Sequence, residues 1–273
     1  MAGSNVPEPY APSASPEGRL SPRRVRDLLA ALSQSDLRAR YGRGPWRLLK
    51  WLVDPFALVG IYLLLVTIVR PRGGPAPGLS LACAVIPFQL VMMAVVNALD
   101  AVKLRRSIIA NMAFPRIFLP LASALTETLA FAASLLLIAA MMVVYGVPPT
   151  LDTLWLPLVV AVNVAVAAAA AYPATLVGLW LPDLRPFAVS LVRAMFFLAP
   201  GLVALEQITG QANSLVRINP LTGLFEAYRD VLLYGRPPAA WELLWPLGFA
   251  ALLLAVFLPI YRIEQRQFAK VLE

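Results

Sequence analysis

The chain has 273 residues, 60% of them hydrophobic and only 14% charged, with a mean hydropathy of +0.74; a soluble domain carries about 25% charged and about 45–50% apolar residues, so the surplus belongs in lipid. The net charge of +8 is better accounted for by basic residues flanking membrane spans than by nucleic acid, which is not expected as a partner. The single cysteine, Cys83, excludes an intrachain disulfide, and the lack of histidine excludes histidine catalysis and histidine-bound metal.

Residues 1–21 place Pro7, Pro9, Pro12 and Pro16 among Ala, Ser and Glu, with no apolar core. They read as a disordered cytoplasmic tail, not a signal peptide. From 22 to 41, Val25, Leu28, Leu29, Leu32 and Leu37 recur at near-helical spacing among Arg24, Asp27, Gln34 and Arg38. That pattern predicts an amphipathic helix lying in the cytoplasmic interface, or else packed on a partner.

A spanning helix needs about 20 mostly apolar residues. Runs of that length cover 46–69, 79–101, 117–145, 154–181, 187–205 and 240–261, which predicts an all-α integral membrane bundle of six spans. Prolines within them, such as Pro87, Pro173 and Pro246, are of a kind that membrane helices tolerate. Nine of the 23 Lys and Arg lie before or at the very start of the first span, Arg47 and Lys50 within its first five residues; Lys103, Arg105, Arg106 and Arg116 lie between the second and third. Arg185 follows the fourth, and Arg262, Arg266 and Lys270 follow the last. The opposite side holds Arg70, Arg72, Arg217, Arg229 and Arg236. The basic side is the cytoplasmic one, which puts both termini, and the 262–273 tail, inside.

Glu127 and Arg193 fall within spans. An ionised side chain at the bilayer centre costs at least about 2.5–3.5 kcal/mol, so both are expected to turn inward, as a pair or with Asn97 and Asp100. Catalytic signals are missing. There is no G-x-x-x-x-G-K-[ST] loop and no carboxylate cluster of metal-ligand spacing.

The stretch from Asn219 to Arg236 is the most informative. Asn219 is a good N-cap and Pro220 suits the first helical position. Leu221, Leu224, Phe225, Tyr228 and Leu232 form one apolar stripe, with Glu226, Arg229 and Asp230 off it. Glu226 and Arg229, three apart, are placed to pair weakly. Gly235 ends the helix. The prediction is a short amphipathic helix at the outer interface, reached after a break at Pro200-Gly201.

This segment closely resembles the C-terminal signature of type-2 ABC exporter permeases, above all the branch that exports O-antigen, capsule and teichoic acid. Asn219, Pro220, Glu226, Tyr228 and Arg229 match it. Phe114-Pro115-Arg116 with Leu119-Pro120 resembles the family's loop between spans two and three, and Asp183-Leu184-Arg185 its loop between four and five. Asp36, Arg40, Tyr41 and Pro55 resemble its approach to span one, and the run Arg266 to Leu272 its ending. The chain departs from the pattern at Gly44, Pro45 and Arg47, where a Ser and a Gly are usual, and at Ala110-Asn111, where the family often carries two basic residues.

The resemblance implies a permease in the plasma membrane of a bacterium, with residues 22–261 as the transmembrane domain. It implies a homodimer, and a separate ABC ATPase in two copies that holds ATP and Mg; the chain itself carries no cofactor and is not an enzyme alone. Lys103, Arg105, Arg106, Phe114, Pro115 and Arg116 would seat on that ATPase, with Asp183 and Arg185 as a second contact. Residues 205–235 would form short gate helices at the outer end, carrying Asn219, Pro220, Phe225, Glu226, Tyr228 and Arg229. Phe56, Tyr62, Phe88, Phe196 and Phe197 would offer a sugar chain flat faces along the pore, or else pack in the core. Arg38, Arg40 and Arg43 would meet the diphosphate of a lipid-linked glycan, or anchor to membrane lipid. A drug or lipid exporter of the same type, and a non-transporting scaffold subunit, are the alternatives.

Overall fold

Backbone amides in lipid must be satisfied within the protein, so apolar runs of membrane length fold as helices. The computed structural model describes residues 22–41, 53, 56–61, 64, 68, 76–105 and 115–265, and among these it is helical with no strand. The elements are α1 (Pro22–Tyr41), α2 (Pro77–Leu99), α3 (Ala101–Leu104), α4 (Phe118–Tyr145), α5 (Leu156–Trp180), α6 (Arg185–Leu198), α7 (Gln211–Arg217), α8 (Pro220–Arg229) and α9 (Ala240–Glu264). Among the described residues four helices are long and apolar enough to cross a membrane: α2, α4, α5 with the 3-10 turn before it, and α9. Residues 56–61 are helical within the first expected span. The rest of that span's course, with Tyr62, and the C-terminal run Arg266 to Leu272 lie largely outside the described residues.

α2 is the hub. It packs against α4, α5, α6 and α8, and Leu79, Ala82, Cys83, Ala84, Ala94 and Ala98 on it are wholly buried. Small residues let helix backbones approach where no hydrophobic drive exists between helices in lipid. The closest approach is at Gly178 of α5, where an added Cβ would stand 1.8 Å from the carbonyl oxygen of Leu99. α5 then packs on α9, and α8 on both α9 and α2.

α2, α4, α5, α6 and α9 alternate in direction. α1, the α2–α3 junction, the start of α4, the α5–α6 turn and the end of α9 share one end. Ser33 donates to Ala122 O, Arg185 to Asp100 and Tyr261 to Arg116 O. At the far end the Gly235 turn meets Thr150, and the start of α2 meets Tyr145 through Gly78.

Two expectations change. The fifth apolar run, expected over 187–205, is helical only through Leu198, 14 residues in all. Proline disfavours the helical conformation in the residue before it, and Ala199, preceding Pro200, is extended at φ −84°, ψ 154°. Fourteen residues rise about 21 Å, short of a hydrocarbon core of about 30 Å. The second change concerns α8. It was expected on the outer surface, yet every residue from Pro220 to Arg229 is buried. The helix continues into one π-helical turn, Asp230–Tyr234, and Gly235 closes it at φ 62°.

Candidate functional site

The chain folds back into its own core between α6 and α9, and the sequence dictates how. Asn219 caps α8, its Oδ1 accepting from Leu221 N at 3.0 Å, while its Nδ2 donates to Met195 O at the end of α6 at 2.7 Å. One side chain thus starts one helix and ties down the end of another. Thr222 Oγ1 bonds Val216 O, and Trp245 Nε1 of α9 donates to Ile218 O at 3.1 Å. Gly223 presses on the backbone of Glu242, leaving 2.8 Å between a would-be Cβ and that carbonyl oxygen.

The polar residues of α8 are inside, not in water. Arg229 is 0% exposed and Glu226 3%. Arg229 ion-pairs with Glu226 through Nη1, donates from Nε to Ser80 O at 3.2 Å and from Nη2 to Gly201 O at 3.2 Å. Glu226 Oε1 also accepts from Leu205 N at 3.1 Å. The pair therefore satisfies the backbone that the break at Pro200 leaves without helical partners, and fastens it to the start of α2. This is the device by which irregular backbone is tolerated inside a membrane bundle. The weak surface pair expected of Glu226 and Arg229 is instead a buried clamp.

Tyr228, 0% exposed, meets Asn163 at mid-α5, whose Nδ2 donates to Tyr228 Oη at 3.3 Å and to Pro87 O at 3.4 Å. Sequence reasoning passed over Asn163. Its signal was present: an amide side chain within an apolar run is placed there for a partner. Phe88, Phe196 and Phe225 form a packed aromatic group, with centroids 4.8 Å apart for Phe88–Phe196 and 5.8 Å for Phe196–Phe225. Phe196 and Phe225 thus serve the core of the described chain, whereas Phe56 and Phe197 are 65% and 60% exposed.

Outside this core, Arg236 bridges Asp230 at 2.8 Å and Glu206 at 2.9 Å. The hydrogen bond to Asp230 and the nearby Glu206 carboxylate hold its pKa above the ordinary arginine value. Arg217 lies over the Trp241 ring at 4.7 Å, a cation–π contact.

At the α1 end the basic residues divide by role. Arg105 was expected to face a partner, but it is 4% exposed. It pairs with Asp36 of α1 and reaches Ser123 Oγ of α4 at 3.4 Å. Arg185 makes a two-pronged bond to Asp100, at 2.7 and 3.1 Å, which joins the two inter-span loops. Arg116 donates to Gln265 O at 2.8 Å. Lys103 and Asp183 are exposed. Arg106, Phe114 and Arg43 lie outside the described residues, as does the side chain of Arg40; Arg38 is exposed on α1.

Glu127 is buried and accepts from Asn97, not from Arg193. Arg193 is exposed on α6, and Asp100 is engaged by Arg185. Among the described residues no group of His, Cys, Asp or Glu is arranged to hold a metal ion.

No family model matches the chain. It is similar to curated relatives along most of its length. The O-antigen export system permease protein RfbA of Klebsiella pneumoniae is 26% identical over 248 residues, covering 90% of this chain and 95% of that protein. The protein of the same name from Myxococcus xanthus is also 26% identical over 248 residues, with the same coverage. The motif resemblance to type-2 ABC exporter permeases and this similarity agree.

Proposed function

We propose that the chain is the transmembrane subunit of an ATP-driven exporter, moving a polysaccharide held on a lipid carrier such as undecaprenyl diphosphate outward across a bacterial plasma membrane. The observation that carries this reading is the similarity to O-antigen export permeases over 90% of the chain. The architecture fits it: a multi-pass apolar bundle whose polar core secures a folded-back segment.

In this reading the 46–69 run is a first span, α6 a short fifth completed by the segment folded back behind it, and α9 a sixth. The α1 end is cytoplasmic, because the basic flanks gather there. The ATPase, with its ATP and Mg, is a separate chain in two copies that docks against Lys103, Pro115, Arg116 and Asp183. A second permease copy completes the conduit. Arg38, with Arg40 and Arg43, faces the lipid headgroups and the carrier's diphosphate.

Deleting the chain from its host tests this directly. Lipid-linked glycan should accumulate on the inner leaflet, and the tagged chain should pull down an ATPase whose activity rises with that glycan. If no glycan accumulates and no ATPase co-purifies, the reading fails; if stimulation comes from amphiphilic drugs and not from the glycan, the cargo assignment fails.

A further inference from the structure

Arg193 sits at mid-α6, eight residues beyond Arg185, about 12 Å along the helix axis. It is exposed and makes no hydrogen bond or ion pair among the described residues. A guanidinium at that depth is costly unless water or an anion receives it. Helical spacing divides the exposed face of α6 into two strips. Phe187, Leu191 and Leu198, at i, i+4 and i+11, form an apolar ridge, 66%, 53% and 64% exposed. Ser190, Arg193 and Phe197, at i−3, i and i+4, form a second strip, all exposed. The first strip suits lipid or another protein. The second sets a hydroxyl, a cation and an aromatic face along one side of α6 beyond the Arg185 turn.

We propose that Arg193 is a phosphate-binding station on the export path, and so that the cargo carries phosphate at the point where it passes α6. A guanidinium presents a planar fork that matches phosphate oxygens. A single fork facing water holds phosphate weakly, as conduction needs. The inference rests on the export reading and adds the residue, and the place on α6, at which the cargo's phosphate is met. Two sources of phosphate fit this chemistry, the diphosphate of a lipid carrier and phosphodiesters in the polymer.

The test uses the full chain in lipid nanodiscs with Cys83 replaced by Ala, so that Arg193→Cys, Ser190→Cys or Leu191→Cys is the single thiol. Ser190→Cys keeps Arg193 and guards against loss of fold. The probe is a charged, water-soluble methanethiosulfonate. Positions 190 and 193 should react at least tenfold faster than 191. At position 190, undecaprenyl diphosphate or a soluble phosphodiester-linked glycan should slow labelling at least fivefold, where uncharged undecaprenol does not. Protection by the first alone identifies the carrier headgroup, and by the second alone the polymer. Equal protection by phosphatidylglycerol makes Arg193 an ordinary lipid anchor and overturns the proposal. So does a lack of reaction at both 190 and 193, or a spontaneous disulfide linking two copies at 193. No ATPase enters this assay, so its failure is separate from a failure of the export reading.

Discussion

Arg229 and Ser80 stand 149 residues apart in the chain, yet the Nε of the first donates to the carbonyl of the second at 3.2 Å. The same guanidinium holds Glu226 and the Gly201 carbonyl. Three separate segments, the start of α2, the broken loop after α6 and the buried helix α8, are thereby joined at one side chain. The hinge of the folded-back segment is thus secured electrostatically, where the neighbouring contacts are apolar.

Removing one partner of this pair leaves the other buried and uncompensated. Such losses run to about 3–5 kcal/mol. Arg229→Ala and Glu226→Ala should each lower the apparent unfolding temperature of the detergent-solubilised chain sharply. The double change Glu226→Leu with Arg229→Met should cost less than the two single losses added. Fluorescence-detected thermal unfolding reads both. Additive single losses would show that the two residues act independently.

Arg105 and Asp36 make the matching prediction at the α1 end. Here the pair docks an amphipathic helix onto the bundle, and a hydrogen bond to a charged group is worth about 1.5–3 kcal/mol. Arg105→Asp or Asp36→Arg should release α1, seen as faster amide exchange across residues 22–41 with exchange in α2 unchanged. The charge-reversed double variant should recover part of the protection. Protection of α1 that survives either single change would show that the Leu32 and Leu37 packing alone holds it.

Four of the six expected spans were legible in the sequence because length and apolarity alone determine them, and α2, α4, α5 and α9 begin and end within about three residues of the expected bounds. The N-cap at Asn219 was legible for a local reason too, since its partner Leu221 is two residues on. The burial of α8 was not. Glu226 and Arg229 look like a wet face when the helix is read alone, because the groups that receive them, Ser80 O and Gly201 O, are backbone carbonyls that no side-chain pattern announces. The same holds for Arg105. A basic cluster after a span reads as an inside anchor, and nothing within that cluster shows that one of its members turns back to Asp36, 69 residues earlier.

The Asp100–Arg185 bond joins the two loops that face the proposed ATPase, and it is partly exposed, 29% and 43% for the two side chains. Exposed pairs contribute about 0–1 kcal/mol and weaken with salt. Asp100→Asn should therefore leave the unfolding temperature within a few degrees of the parent. It should instead lower transport per ATP hydrolysed when the chain is reconstituted with its ATPase, and salt should reproduce part of that loss in the parent. Unchanged coupling in the variant would reduce this bond to a surface contact.

Gly178 and Gly248 lie on neighbouring helices and predict opposite outcomes for the same change. At Gly178 an added methyl would stand 1.8 Å from Leu99 O, against backbone that cannot swing aside. At Gly248 nothing lies within 4 Å. Overpacking costs about 1–3 kcal/mol and more where backbone must move, whereas alanine gains up to about 1 kcal/mol over glycine in a helix interior. Gly178→Ala should lower the unfolding temperature and spread α5 from α2. Gly248→Ala should raise it slightly or leave it unchanged. The contrast separates packing from propensity, since the substitution is the same and both sites lie within a helix. A stable Gly178→Ala would mean that α2 and α5 do not meet backbone to backbone, and the hub role of α2 would have to be given up.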